Sequence, residues 1–274
     1  MARPIWPIKN KSAVGSNDEP QGNHTMDALI LMYNYLIRIL PALIVGITFI
    51  LYLGKNHLPL RIFSYIFLFV IMRDVMTPLN IWQFGTNGIF WLRVIDNSLF
   101  LILISVSSIA LVLLVNKLDK EAIQVYVFRK VSFIKAIGTG LIGAAVVIVP
   151  MFLIYRFVPM AQRGGSVNND MLFLLSLLVF CLSANFLEES IYRGYFQGYI
   201  ENYFSPTKSG VLSGLLFSFS HIFLATTVTN AGWGVLAFTA YEGIIAGLVR
   251  SKAGVLASTL THGVAIFFLC SGLF

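Results

Sequence analysis

Charge is what this chain has least of. Only 11% of its 274 residues are Asp, Glu, Lys or Arg, where a soluble domain carries roughly 25%. That excludes an ordinary water-soluble domain, which could not cover its surface with so few charges. Cysteine is nearly absent. Cys181 and Cys270 both lie in apolar runs and read as small buried hydrophobes with no disulfide framework. Histidine is scarce too, at four residues, and none sits in the H-E-x-x-H spacing of a metalloprotease helix. No apolar stretch directly follows the first basic residues, so no cleavable signal peptide is expected. Internal repeats and low-complexity segments are missing. Nucleic acid is not needed to explain the net charge of +7, because loop Lys and Arg that set topology and meet anionic lipid account for it.

What is abundant is apolar sequence: 57% hydrophobic residues and a mean hydropathy of +0.82. The composition predicts an all-α, polytopic membrane helical bundle of about eight transmembrane helices. Residues 1–26, with Pro4, Pro7, Gly15, Pro20 and Gly22, read as a polar flexible tail. Residues 27–169 form a first set of spans: Leu29 to Leu53, Ile62 to Trp82, Val94 to Val115 and Ile134 to Phe157. Pro41 can kink the first. Arg73-Asp74 interrupts the second and reads as a structural ion pair near a helix end. A basic loop from Asn116 to Lys135 holds an expected interfacial amphipathic helix, Glu121 to Phe133.

Residues 170–274 form the second set. After a polar loop, Arg163 to Asp170, one span starts at Met171. Ser205-Pro206 marks a fresh helix start. Spans then follow at Gly210 to Val228, Gly232 to Val249 and Ala253 to Leu273. Loop Lys and Arg put both termini outside the cytoplasm.

The informative stretch is Asn185-Phe-Leu-Glu188-Glu189-Ser-Ile-Tyr-Arg193. A carboxylate at the centre of a bilayer costs upward of about 2.5 kcal/mol, which marks intramembrane acids as functional candidates. Successive helical residues point about 100° apart, so the two glutamates face differently. Glu189 and Arg193 are spaced i, i+4 in the favourable acid-first order and read as a structural ion pair. Glu188 shares its face with Asn185 and Tyr192 and is free to line a cavity. His221 and His262 lie in two other apolar spans, with Phe217 one turn before His221. A lone intramembrane histidine is ordinarily a hydrogen-bonded packing residue. Two of them with an acid pair point to a shared polar site suited to water activation. Glu188 with His221 and His262 would equally suit a zinc ion, and spacing does not choose. Gly243 and Gly247 form a small-xxx-small pair for close helix packing. Glu242 is a further acid in its span, for which a turn-facing or cavity-lining role and a structural one are equally open, and no chemistry is assigned to it.

Glu188-Glu189-x-x-x-Arg193, then Phe217-x-x-x-His221, then a glycine-rich helix, then His262 resemble the CAAX protease and bacteriocin-processing family of intramembrane proteases, related to the Ras-converting CAAX prenyl endopeptidase. The resemblance covers roughly residues 170 to 270. It implies that Glu188 activates the hydrolytic water, that His221 helps to bind it, and that His262 belongs to the oxyanion-stabilising group. Asn185, Phe217, Glu189 and Arg193 would support the site. Both zinc and a metal-free glutamate mechanism are compatible with it. Membrane lipid and a membrane-associated peptide or protein substrate are the implied partners, and a bacterial cell membrane the implied location. Ile266 stands where the family usually has Asn or Asp, and Thr259 or Asn185 would have to substitute. An intramembrane endopeptidase is therefore expected. A catalytically impaired scaffold or bacteriocin self-immunity protein is the alternative, and a transporter a more distant one.

Overall fold

The computed structural model describes residues 22–54, 57–85, 91–159, 168–229 and 232–273. The tail residues 1–21 and most of the Arg163 to Asp170 loop lie outside the described residues, whereas 22–26 begin the first helix instead of continuing the tail. Helices α1 (Gly22–Leu53), α2 (Leu58–Met76), α3 (Ser98–Leu118) and α5 (Phe133–Tyr155) make up the first half, with a short α4 (Ala122–Val125) between the last two. The second half runs α6 (Met171–Glu189), a π-helical stretch (Ser190–Phe196), α7 (Gln197–Ile200), α8 (Pro206–Phe219), a second π-helical stretch (Leu224–Val228), α9 (Gly232–Ala253) and α10 (Val255–Ser271). Among the described residues seven helical segments are long and apolar enough to cross a membrane, and the eighth, α10, is apolar but only 17 residues long. At 1.5 Å per residue it measures about 26 Å, just short of a typical hydrocarbon core.

Local chemistry accounts for the helix starts. Asn97 accepts from the Phe100 amide at 3.0 Å, and Asp170 from the Phe173 amide at 3.2 Å. Ser205 caps α8 with Pro206 at its first position, as the sequence predicts. Outward faces carry large apolar side chains such as Ile44, Val45, Ile142, Phe152 and Leu172. In water such a belt would be a liability; in lipid it is the solvent-facing side.

Two expectations are corrected. The second span does not run on to Trp82. It ends at Met76, passes through a 3₁₀ turn at Thr77–Leu79 that contains Pro78, and gives way to an antiparallel hairpin, β1 (Trp82–Gly85) with β2 (Trp91–Val94). Pro78 ends the α-helical register because it has no amide hydrogen to donate.

The Glu121 to Phe133 segment is not an interfacial helix beyond the four residues of α4. Asp119 accepts from the Ala122 and Glu121 amides and from Arg61 and Tyr65, which pins the start of α4 against α2. Beyond it the chain is drawn inward. Val127 O and Phe128 O accept from the Val255 and Leu256 amides, and the Lys130 amide donates to Ala253 O. The segment thereby satisfies amides at the start of α10 that no helix partner could reach.

Helices α8 and α9 pack backbone to backbone. A Cβ at Gly247 would stand 2.3 Å from Gly210 O, and one at Gly214 2.5 Å from Ile244 N. The small-xxx-small reading of Gly243 and Gly247 matches this contact. The main core draws on both halves of the chain, from Tyr35 and Phe100 to Phe180, Ala265 and Cys270.

Candidate active site

The acidic motif lies in the interior of a continuous helical segment, Met171–Ile200, not at a helix end. Glu188 and Glu189 close α6, and the π-helical stretch begins one residue later. A π-helical turn inserts a residue into the helical ladder and re-aims the side chains around it, a device found frequently at functional sites.

Glu189 and Arg193 are both fully buried and pair at 2.9 Å. Arg193 also donates to Gly243 O at 2.9 Å, and its guanidinium lies 4.5 Å above the Phe217 ring centre. Glu189 Oε1 accepts from His262 Nδ1 at 3.0 Å. This pair therefore ties α6, α9 and α10 together. Phe217 is the platform between them. Its ring centre is 4.6 Å from that of His221, 5.4 Å from that of His262 and 5.4 Å from that of Tyr192.

Glu188 faces the other way, into a cavity of about 560 Å³. Asn185, Phe217, His221, Glu242, His262 and Ile266 line the same cavity, and so does Arg73 from α2. His262 Nε2 lies 4.0 Å from Glu188 Oε2 and 3.6 Å from Glu242 Oε2. Glu188 Oε1 and Glu242 Oε1 are buried and accept no hydrogen bond from the described residues. The remaining walls are mainly apolar, among them Tyr35, Phe69, Phe180 and Leu224, with a few hydroxyls such as Ser108 and Thr239. A polar cluster in a largely apolar cavity of this size is the usual form of a small-molecule or peptide site.

His221 does not sit in a regular helix, as its sequence context predicts, but in the turn that follows α8. Its Nδ1 is 2.8 Å from Phe217 O, and its Nε2 is 2.9 Å from Arg73 Nη1. A guanidinium only donates, so Nε2 accepts and Nδ1 carries the hydrogen given to Phe217. Asn185 lines the cavity with its amide nitrogen bonded to Cys181 O at 2.6 Å. Thr259 is buried but does not line the cavity.

This donor set does not fit zinc. A ligand histidine needs a free lone pair, and the one on His221 Nε2 is taken by the Arg73 cation. The other His221 nitrogen faces Phe217 O, so of the two histidines only His262 keeps a free ring nitrogen, Nε2. Among the described residues no group of three or more His, Cys, Asp or Glu side chains is arranged to hold a metal ion.

Two residues at the site were not assigned to it by sequence reasoning. Glu242 was visible as an acid in an apolar span, but its spacing gave it no partner. Arg73 does pair with Asp74, with Nη2 to Oδ1 at 2.8 Å. It also reaches past Asp74 to Ser220 O and His221, 147 and 148 residues away in sequence. The available signal was an arginine in an apolar span, which is a functional candidate in its own right.

Residues 170–268 match the family model for type II CAAX prenyl endopeptidase Rce1-like proteins. The match agrees with the family that the motifs resemble. It includes Glu188, His221, Glu242 and His262 and leaves out α2 with Arg73. No curated protein and no solved structure matches the chain.

Proposed function

We propose that this integral membrane protein is an intramembrane endopeptidase that hydrolyses a peptide bond of a membrane-associated substrate. The observation that carries the reading is the convergence of Glu188, Glu242, His221, His262 and Arg73 on one largely apolar cavity. Buried carboxylate oxygens without partners are costly, and Glu188 Oε1 is such an atom. A water and a scissile amide would meet that need. Glu188 acts as the general base that deprotonates the water. His262, held by Glu189 through Nδ1, presents Nε2 to the reacting oxygens.

His221 has a different part from the one the resemblance implies. Both of its nitrogens are engaged in the resting protein, so it holds Arg73 beside Glu188 in place of binding the water itself. The apolar walls suit a substrate that brings a hydrophobic segment or lipid modification with it. Prenylated C-termini, bacteriocin or pheromone leader peptides and membrane-bound regulatory proteins are the classes that the family resemblance offers.

The test is Glu188→Gln, which keeps shape and removes the base. In phospholipid vesicles carrying the purified protein and a membrane-anchored fluorogenic peptide, cleavage should fall at least about 100-fold with the protein level unchanged. Cleavage at the wild-type rate would refute the enzyme reading and leave the scaffold alternative.

A further inference from the structure

We propose that Arg73 is a catalytic residue of this site, whose guanidinium binds the oxygen on which negative charge develops as the amide is attacked. The inference rests on the peptidase reading above. Its evidence is a census of the five N–H groups of Arg73. Nε donates to Asp74 Oδ1 at 2.9 Å. Nη2 lies 2.8 Å from the same carboxylate oxygen and donates to Ser220 O at 2.8 Å. Nη1 donates to His221 Nε2 at 2.9 Å. Three of these are hydrogen bonds and the Nη2–Asp74 contact is an ion pair, and among the described residues the second N–H on Nη1 has no hydrogen-bond acceptor.

Glu188 Oε1 lies 3.9 Å from the same Nη1. That is too long for a hydrogen bond, so the carboxylate does not consume the donor. The gap leaves room for the reacting oxygens between base and guanidinium.

A purely structural arginine would need only its neighbour Asp74. This one is also fixed by a carbonyl and an imidazole from the chain segment after α8, which leaves the planar fork little freedom. Donors held in place before charge appears stabilise a transition state without a reorganisation cost, and most strongly where water is excluded. The position is also chemically apt. Ile266 contributes no hydrogen-bond donor to the cavity it lines, and Arg73 brings a charged one to the same cavity.

Glu188 takes one proton from the water, and the water oxygen bonds to the carbonyl carbon. The C=O π pair moves onto the carbonyl oxygen, which accepts the Arg73 N–H. On collapse the oxyanion pair re-forms the C=O bond as the C–N bond breaks; the C–N pair leaves with nitrogen, which takes the proton held by Glu188, and the products are a carboxylic acid and an amine.

The experiment uses the full chain in phospholipid vesicles with two probes: the membrane-anchored fluorogenic peptide and its analogue with a phosphinate at the scissile bond. Arg73→Gln should lower kcat by about 100- to 1,000-fold with KM within about threefold. It should also abolish the preference for phosphinate over amide, since only the phosphinate carries the anionic oxygen. Arg73→Lys, which keeps the charge but not the fork, should recover part of both. Asp74→Asn breaks the ion pair while leaving the second Nη1 N–H in place, and should keep kcat within about tenfold. An Arg73→Gln enzyme with normal kcat and intact phosphinate preference would overturn the inference alone. So would a loss no larger than that of Asp74→Asn. Full cleavage by Glu188→Gln, or a wild-type protein that neither cleaves the peptide nor prefers the phosphinate, would overturn the peptidase reading and this inference with it.

Discussion

Glu188 and Glu189 are adjacent in sequence and opposite in surroundings. Glu189 is enclosed by Arg193 and His262, whereas Glu188 turns to the cavity. Removing one partner of a buried ion pair strands the other charge, at about 3–5 kcal/mol. Glu189→Arg and Arg193→Glu should therefore each deplete the protein from membranes. The double swap should restore its level above either single variant without restoring cleavage, because it sets an arginine against His262 and takes the cation off the Phe217 face. Membrane yield and thermal midpoint measure this. Additive losses, with the double variant below both singles, would refute the ion-pair assignment.

At the scale of elements, the site depends on two junctions that carry no chemistry. The first is the α8–α9 contact, where any side chain at Gly247 must displace Gly210 backbone. Gly247→Val should lower stability by several kcal/mol, on the order of an overpacked core or worse, and scatter Phe217, His221 and Glu242 together. A thermal midpoint within about 2 °C of wild type would contradict it.

The second junction is Asp119, between α3 and α4 and outside the spans. Burial alone would raise its carboxyl, but hydrogen bonds from Arg61, the Ala122 amide and Tyr65 outweigh that and hold it below the ordinary carboxylate value. A depressed folded-state value means stability present above the unfolded value of about 4 and lost as pH falls through the lower folded one. Asp119→Asn should thus cost most near neutral pH, and its deficit in thermal midpoint should shrink on acidification below about pH 4. A deficit that stays constant with pH would show that the charge is irrelevant there.

For the whole molecule, the bundle is sealed well enough to keep both thiols from water. Cys181 and Cys270 are free and buried in the core shared by the two halves. Neither should react with a membrane-impermeant maleimide in the native protein, and both should react after denaturation in detergent. Rapid native labelling of either would mean that the core is not packed as described.

How much of this was legible in the sequence follows from the range of the forces involved. Membrane helices are a local property: a run of apolar residues closes its own hydrogen bonds, and composition alone announces it. The i, i+4 spacing of Glu189 and Arg193 is local as well, and so are the Ser205-Pro206 start and the glycine pair of α9. The Trp82–Val94 hairpin was hidden because an aromatic, apolar segment next to a span reads as more span. The extended chain after α4 was hidden because its backbone bonds go to Ala253, Val255 and Leu256, more than a hundred residues on.

The same division holds at the site. By itself the sequence determined that this is a membrane helical bundle and singled out Glu188, His221 and His262 as the candidates for its chemistry. Only the tertiary structure decided what surrounds them. It brought Glu242 to His262 and engaged both nitrogens of His221. It also extended Arg73 beyond its local ion pair with Asp74 to His221 and the edge of Glu188. Those outcomes depend on how α2 lies against α6 and the end of α8, a long-range packing arrangement that no residue spacing encodes.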